Sequence, residues 1–312
     1  MRSSASSAAA VLRNGLILMR PAAVGASSFV IIFSGMYPLF LDPAVPAGRA
    51  WTAAVLLLAG CLLIHGLLTH ALNDYTDYRS GTDERSPALL SGGSRIIQNG
   101  RMTPEALGRF GYGLTAALLA CAVLLILLGQ TRLAALLLIG IWGAVSYSAP
   151  PLRLAYIPLA GEWLSTFPST FALGLGGVWL LTGSLPEWAV QNAWINAMYC
   201  IAWVMVHHIP DLEADRQASP VKRTSVVWAA DRFGIAFARL PAAAYFAVIG
   251  LSSIWFAGSD RWIAAGGIVA AAALSIFWLA KADMRDAAGV TACEKKMLLT
   301  AILLAVWLGI FY

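Results

Sequence analysis

Charge is what this 312-residue chain has little of. Asp, Glu, Lys and Arg make up 12% of it against 59% hydrophobic residues, where an ordinary soluble domain carries roughly a quarter charged. Cysteine and histidine are equally sparse, at four each. Cys61, Cys121, Cys200 and Cys293 are scattered with no metal-ligand spacing and are uninformative. Three of them lie inside apolar runs, where thiols act as small hydrophobes. His207 and His208 have no metal-type partner at helical spacing, so zinc is not expected; helix-end hydrogen bonding is the simpler role. No Pro/Gly/Ser-rich linker divides the chain, so residues 1–312 read as a single domain. The apolar runs are continuous and Leu/Ala-rich instead of alternating, which excludes a β-barrel.

What is present is long apolar sequence, with a mean hydropathy of +0.73. Stretches of about 20 apolar residues, enough to cross a bilayer, fall near 21–42, 51–72, 105–129, 133–150, 157–182, 189–210, 234–257, 262–281 and 297–312. The chain therefore reads as an all-α integral membrane protein with nine spans. Segment Ser3–Ala10 reads as a frayed tail, and Arg13 and Arg20 interrupt any signal-peptide core. Sixteen Lys and Arg outside the spans fall on one side of the membrane, against Arg49, Arg132 and Arg261 on the other. The positive-inside rule then places the N-terminus in the cytoplasm and the C-terminus outside. The net charge of +5 reflects this topology and contact with anionic lipids, and needs no nucleic-acid partner.

Against that background two acidic runs stand out. One is Asn73-Asp74-Tyr75-Thr76-Asp77-Tyr78-Arg79-Ser80-Gly81-Thr82-Asp83, and the other is Asp211-Leu212-Glu213-Ala214-Asp215. They close the second and sixth spans, both on the cytoplasmic side. Carboxylates at membrane depth are costly unless paired or bound to a cation. On a helix Asp74 and Asp77 share a face at i, i+3, and so do Asp211 and Asp215 at i, i+4, while Glu213 points away. Pro210 is compatible with a helix start or kink. Two such faces opposed would gather four carboxylates, which suits Mg²⁺ with its oxygen ligands, completed by substrate phosphates. Arg79, Arg95, Arg153, Lys222 and Arg223 lie on the same side and suit phosphate oxygens. Acids for Mg²⁺, bases for a diphosphate and greasy helices for a tail together describe an isoprenyl diphosphate. Glu162, inside the fifth span, is unusual there and either faces the cavity or marks a misplaced helix start.

The Asn-Asp-x-x-Asp opening, the later Asp-x-x-x-Asp, nine spans and the stretch Tyr147-Ser148-Ala149-Pro150-Pro151-Leu152-Arg153 resemble the UbiA superfamily of intramembrane prenyltransferases. The resemblance covers nearly the whole chain. It implies a ring of nine helices around a central lateral cavity, with Mg²⁺ and a prenyl diphosphate held by two aspartate-rich motifs. It places Asn73, Asp74, Asp77 and Asp83 in the first motif, Asp211 and Asp215 in the second, and Tyr147 and Arg153 at the cavity mouth. The Asp77-x5-Asp83 spacing, Gly92-Gly93-Ser94-Arg95 and Lys222-Arg223-Thr224 resemble the menaquinone-pathway members, which prenylate dihydroxynaphthoate. His207-His208-Ile209-Pro210-Asp211 resembles the carotenoid-elongating members instead.

The expected reaction is Mg²⁺-dependent prenyl transfer to a hydrophobic or aromatic acceptor in a bacterial cytoplasmic membrane, in lipoquinone synthesis of the menaquinone type. A terpene cyclase of the same superfamily, which needs no acceptor, is the alternative. A transporter would spread its acids through the bilayer midplane; here they cluster at one face.

Overall fold

The computed structural model describes residues 2–87 and 89–312, and no strand occurs among them. Ten long helices follow in order: α1 Arg2–Met19, α2 Pro21–Leu41, α3 Ala47–Ser80, α4 Pro104–Leu127, α5 Thr131–Ser148, α6 Gly161–Thr182, α7 Glu187–His207, α8 Ile235–Gly258, α9 Trp262–Lys281 and α10 Ala287–Ile310. Seven of these (α2 to α6, α8 and α9) are long and apolar enough to cross a membrane. Helices α7 and α10 have the length but carry more polar residues.

Successive helices pack on one another, and α2 packs against α10, which closes the bundle. Helix α7 is the most enclosed, touching α2, α6, α8 and α10, and buries residues all round its circumference. Gly35 and Gly174 let α2 and α6 approach so closely that a Cβ on Gly35 would meet the Gly174 carbonyl. Without a hydrophobic drive between helices in lipid, small residues at the contact provide this packing. Local signals fix the ends. Thr103 caps α4 by accepting from the Ala106 amide, with Pro104 at the first helical position, where its missing N–H costs nothing.

The expected span ends differ from the helices in four places. Ser3–Ala10, expected as a frayed tail, belongs to α1; its small residues oppose nothing in a helix. Helix α3 runs on to Ser80, because polar residues at its end are satisfied inside the protein. Helix α7 stops at His207, and a separate short helix, Leu212–Arg216, follows Pro210, which cannot supply the N–H a continuous helix needs. Helix α10 starts ten residues before the expected span, because Glu294, Lys295 and Lys296 lower its hydropathy without breaking it. Three helices also contain π-helical turns, Gly25–Phe29 within α2, Leu62–Thr69 within α3 and Gly161–Thr166 at the start of α6. Such turns gather at functional sites.

Candidate active site

The first acidic run forms the last turns of α3. Gly81, with φ +80°, ends the helix in the left-handed conformation, its amide bonded to the Tyr78 carbonyl, a cap that glycine adopts without strain. Asp74 and Asp77 are both buried, as their shared face requires. Asn73 links them to the neighbouring helix: its amide donates to Asp77 at 3.1 Å, and its carbonyl accepts from the Ser148 hydroxyl at 3.0 Å. Asp83 follows on the short helix Thr82–Arg85 and is 3% exposed.

The loop after Ser86 folds back over these acids and supplies neutral donors. Ser94 gives both its amide and its hydroxyl to Asp74. Gln98 donates to Asp83 at 3.3 Å, and Ser91 donates across to Asp211 at 3.0 Å. Gly93 lies between two carboxylates with φ +69°. A Cβ there would sit 3.1 Å from an Asp74 oxygen and 3.2 Å from an Asp83 oxygen, so both the backbone angle and the space call for glycine.

The second run comes down beside the first. The Ser219 amide bonds the Ser80 carbonyl at 2.8 Å, tying the ends of the two runs together. Lys222 then turns inward, 5% exposed, with Nζ 2.9 Å from one Asp77 oxygen and 3.1 Å from the other. The same Nζ is 3.7 Å from Asp215. Asp215 is fully buried, and neither of its carboxylate oxygens has a hydrogen-bond partner. His208 stands 3.6 Å from it through Nδ1, while Nε2 pairs with the Tyr147 hydroxyl at 2.9 Å.

Five buried carboxylates thus surround a single buried ammonium. Burial pushes the Asp83 carboxyl up to about 8, and the nearby Asp77 and Asp74 add to it. Asp211 is raised in the same direction, by burial first and Asp215 second. Burial works against the Lys222 ammonium, but Asp77 and Asp215 outweigh it and hold the lysine charged well above its ordinary range. Burial beside Asp77 also raises the Tyr156 phenol to about 12, so it stays a donor; its hydroxyl faces Asp77 at 3.5 Å. The uncompensated negative charge and the two free Asp215 oxygens suit hard divalent cations, since every donor is an oxygen. Among the described residues no three acid, histidine or cysteine side chains are already drawn together as ion ligands; Lys222 occupies the space between the runs. Asp74, Asp77, Asp83, Asp211 and Asp215 supply the buried carboxylate oxygens of this cluster.

The basic residues divide. Lys222 is central, and Arg95 reaches the Asp83 carbonyl at 3.3 Å. Arg153 lies 5.6 Å over the Tyr156 ring at the edge of the site. Arg79 and Arg223 are exposed and make no contact with the acids. Glu213 is also on the surface, paired with Arg216, as its position on the opposite face predicts. Arg20 goes beyond the sequence reading, which counts it as a topology charge. It donates to the Leu90 carbonyl and so braces the loop that carries Ser91 and Ser94. Ser94 falls within the Gly92-Gly93-Ser94-Arg95 stretch, whereas Ser91 and Gln98 carry no sequence signal except nearness to the glycine pair.

The sequence model of the UbiA prenyltransferase family matches residues 29–303. Among solved structures the chain is similar to a UbiA homologue from Archaeoglobus fulgidus, with a TM-score of 0.62 at 15% identity, covering 96% of this chain and 98% of that one. The same homologue bound to GPP and Mg²⁺ gives a TM-score of 0.62 at 13% identity, over 94% and 99% of the two chains. Its complex with DMAPP and Mg²⁺ gives 0.59 at 14% identity, with the same coverage. No curated protein matches the chain by sequence. The helical fold agrees with those structures, and the two aspartate runs lie inside the matched segment, so the chain belongs to the UbiA prenyltransferase family.

Proposed function

We propose that this protein transfers an isoprenyl group from a prenyl diphosphate to a carbon of an aromatic acceptor, within the membrane and with Mg²⁺. The observation that carries this reading is the ratio of charges at the site: five buried carboxylates to one buried lysine. Such an excess is costly unless protons or added cations offset it, and a diphosphate would bring those cations a second set of oxygens. The Archaeoglobus homologue binds GPP and DMAPP with Mg²⁺, which supports the same ligand class here.

In this reading Mg²⁺ neutralises the diphosphate so that the allylic C–O bond ionises. The protein's own residues do the remaining work. Asp74, Asp77, Asp83, Asp211 and Asp215 hold the cation sites, while Asn73 and Ser148 fix the Asp77 orientation. Lys222, with Arg95 and Arg153 at the margin, answers negative charge on the departing diphosphate. The apolar walls keep water from the carbocation. The resemblance of Gly92-Gly93-Ser94-Arg95 to the menaquinone-pathway members supports an acceptor of the dihydroxynaphthoate kind and a place in menaquinone-type lipoquinone synthesis. The basic loops support a cytoplasmic site in a bacterial inner membrane.

The test is mass spectrometry of products from purified protein given Mg²⁺ and geranylgeranyl or farnesyl diphosphate, with and without dihydroxynaphthoate or 4-hydroxybenzoate. A prenylated acceptor is the expected product. A cyclic hydrocarbon released without acceptor would replace the transferase reading with a cyclase.

A further inference from the structure

Arg239, Lys281 and Arg285 line one cavity of about 260 Å³ that shares no residue with the carboxylate cluster. They come from three places in the chain: the start of α8, the last residue of α9 and the turn before α10. These lie at the carboxylate end of the bundle, where His207 at the end of α7 meets Glu294 near the start of α10. Arg239 is held rigidly. Its Nε donates to the Ala236 carbonyl at 3.0 Å, and its Nη1 donates to the Leu279 and Ala280 carbonyls at 3.2 and 2.9 Å. Those two carbonyls belong to the last turn of α9, the negative end of the helix dipole. The arginine therefore covers the groups that would repel an anion. A charge that only sets topology needs neither a cavity nor such anchoring.

The charges in this cavity are unbalanced. Among the described residues none of the three cations forms an ion pair with an acid. Asp283 is the one acid in the lining, and its Oδ1 accepts the Arg285 amide at 3.0 Å. Apolar surface runs on from the charges. Leu274, Phe277 and Lys281 are spaced i, i+3 and i+7, so they share a face of α9. Leu274 and Phe277 are exposed on it, and the Lys281 Nζ lies 5.9 Å over the Phe277 ring. Beside Arg239, Phe237 and Leu240 are exposed on α8. A cationic cavity at the head of an apolar stripe has the two halves of a phospholipid site, and basic cavities between membrane helices suit anionic headgroups. A free anion would use the cations and nothing of the stripe. We propose that this cavity binds the headgroup phosphate of an anionic phospholipid, with an acyl chain along Leu274 and Phe277.

The test titrates the delipidated protein in detergent with phosphatidylglycerol, phosphatidylcholine or inorganic phosphate and counts bound molecules by native mass spectrometry. Wild type is expected to bind phosphatidylglycerol at least about tenfold more tightly than phosphatidylcholine. Lys281→Gln/Arg285→Gln should lose about tenfold or more in phosphatidylglycerol affinity, with phosphatidylcholine unchanged. Lys295→Gln/Lys296→Gln removes the same charge from the exposed surface of α10 and should stay within about twofold of wild type. Equal affinity of wild type for the two lipids overturns the proposal. So does an equal loss in the two double variants, which would reduce the effect to net charge. Inorganic phosphate that binds as tightly as the lipid overturns the lipid assignment and leaves a free-anion site. Should Lys281→Gln/Arg285→Gln fail to fold, Lys281→Gln alone is expected to lose about fivefold, and wild-type affinity there overturns the proposal. Turnover is no part of the readout, so failure of the prenyl-transfer reading leaves this result standing.

Discussion

At one end of α7 a half-buried arginine meets neutral acceptors; at the other a buried lysine meets more carboxylates than it can neutralise. Arg261 donates to Gln191 at 2.7 Å, to Asn192 at 2.9 Å and to the Phe311 carbonyl at 3.0 Å, and stacks over Phe256 at 4.7 Å. Gln191 and Asn192 pass the network on to Ser259 and the Leu308 carbonyl. This end is close to complete in itself, with the Arg261 Nε left over. The Lys222 end leaves both Asp215 oxygens without partners. Buried polar groups are normally satisfied, and exceptions mark function or an absent ion. The contrast separates a clasp that holds helices together from a site built to receive charge.

Four measurements would break or sharpen that contrast. The largest effect is expected at the lysine end. Asp74→Asn, Asp211→Asn or Asp215→Asn should lower kcat/KM by about 10³-fold or more, with the thermal transition in detergent nearly unchanged. Near-normal activity in any of them would remove that carboxylate from the mechanism. Next, Lys222→Met breaks a buried ion pair and should cost the metal-free protein about 3–5 kcal/mol. Added Mg²⁺ should recover part of it, because Asp77 and Asp215 regain a cation; equal loss with and without Mg²⁺ would refute this. At the other end Arg261→Met should cost about 1–3 kcal/mol of stability while activity per folded molecule stays at wild-type level. A selective loss of activity would erase the distinction between the two ends.

The smallest effect is on pH dependence. Burial, with Asp77 and Asp74 beside it, raises the Asp83 carboxyl above its ordinary range in the fold, so as pH rises through that window the folded protein holds more protons than the unfolded chain. Metal-free stability should therefore fall as pH rises through that window. Mg²⁺ should flatten the fall, so its gain in melting temperature is expected to be larger at pH 8 than at pH 6, read by thermal shift. A gain that does not vary with pH would mean the ion does not bind these carboxylates.

Much of this was legible in the residues because hydropathy and helical spacing are local. The runs of Leu and Ala mark the spans within a few residues, and the i, i+3 pair Asp74/Asp77 is buried as a pair. What was illegible depends on distant partners. Glu294 looks like the end of a loop in sequence, yet it is fully buried and bonds His207 from 87 positions away at 2.5 Å, which lets α10 begin early. Arg79 points outward by its phase on α3, whereas Arg223, Lys222 and Arg95 are alike in type and neighbourhood, and only the course of the loops sends the first outward and the other two inward. Ser91 and Gln98 are ordinary loop residues until the chain folds back over the acids.

The π-helical turn at Leu62–Thr69 bears on how such a protein can change over generations. A π-turn stores an extra residue inside a helix, and each residue added or removed swings everything beyond it by roughly 100°. Asp74, where the acidic face of α3 begins, comes five positions after that turn. Losing one residue between 62 and 69 can be absorbed by relaxing the π-turn to an α-turn, whereas losing one between 70 and 73 would leave every aspartate in the sequence and aim them at the wrong neighbours. A deletion in that short α-helical stretch would pass a motif search while abolishing the site.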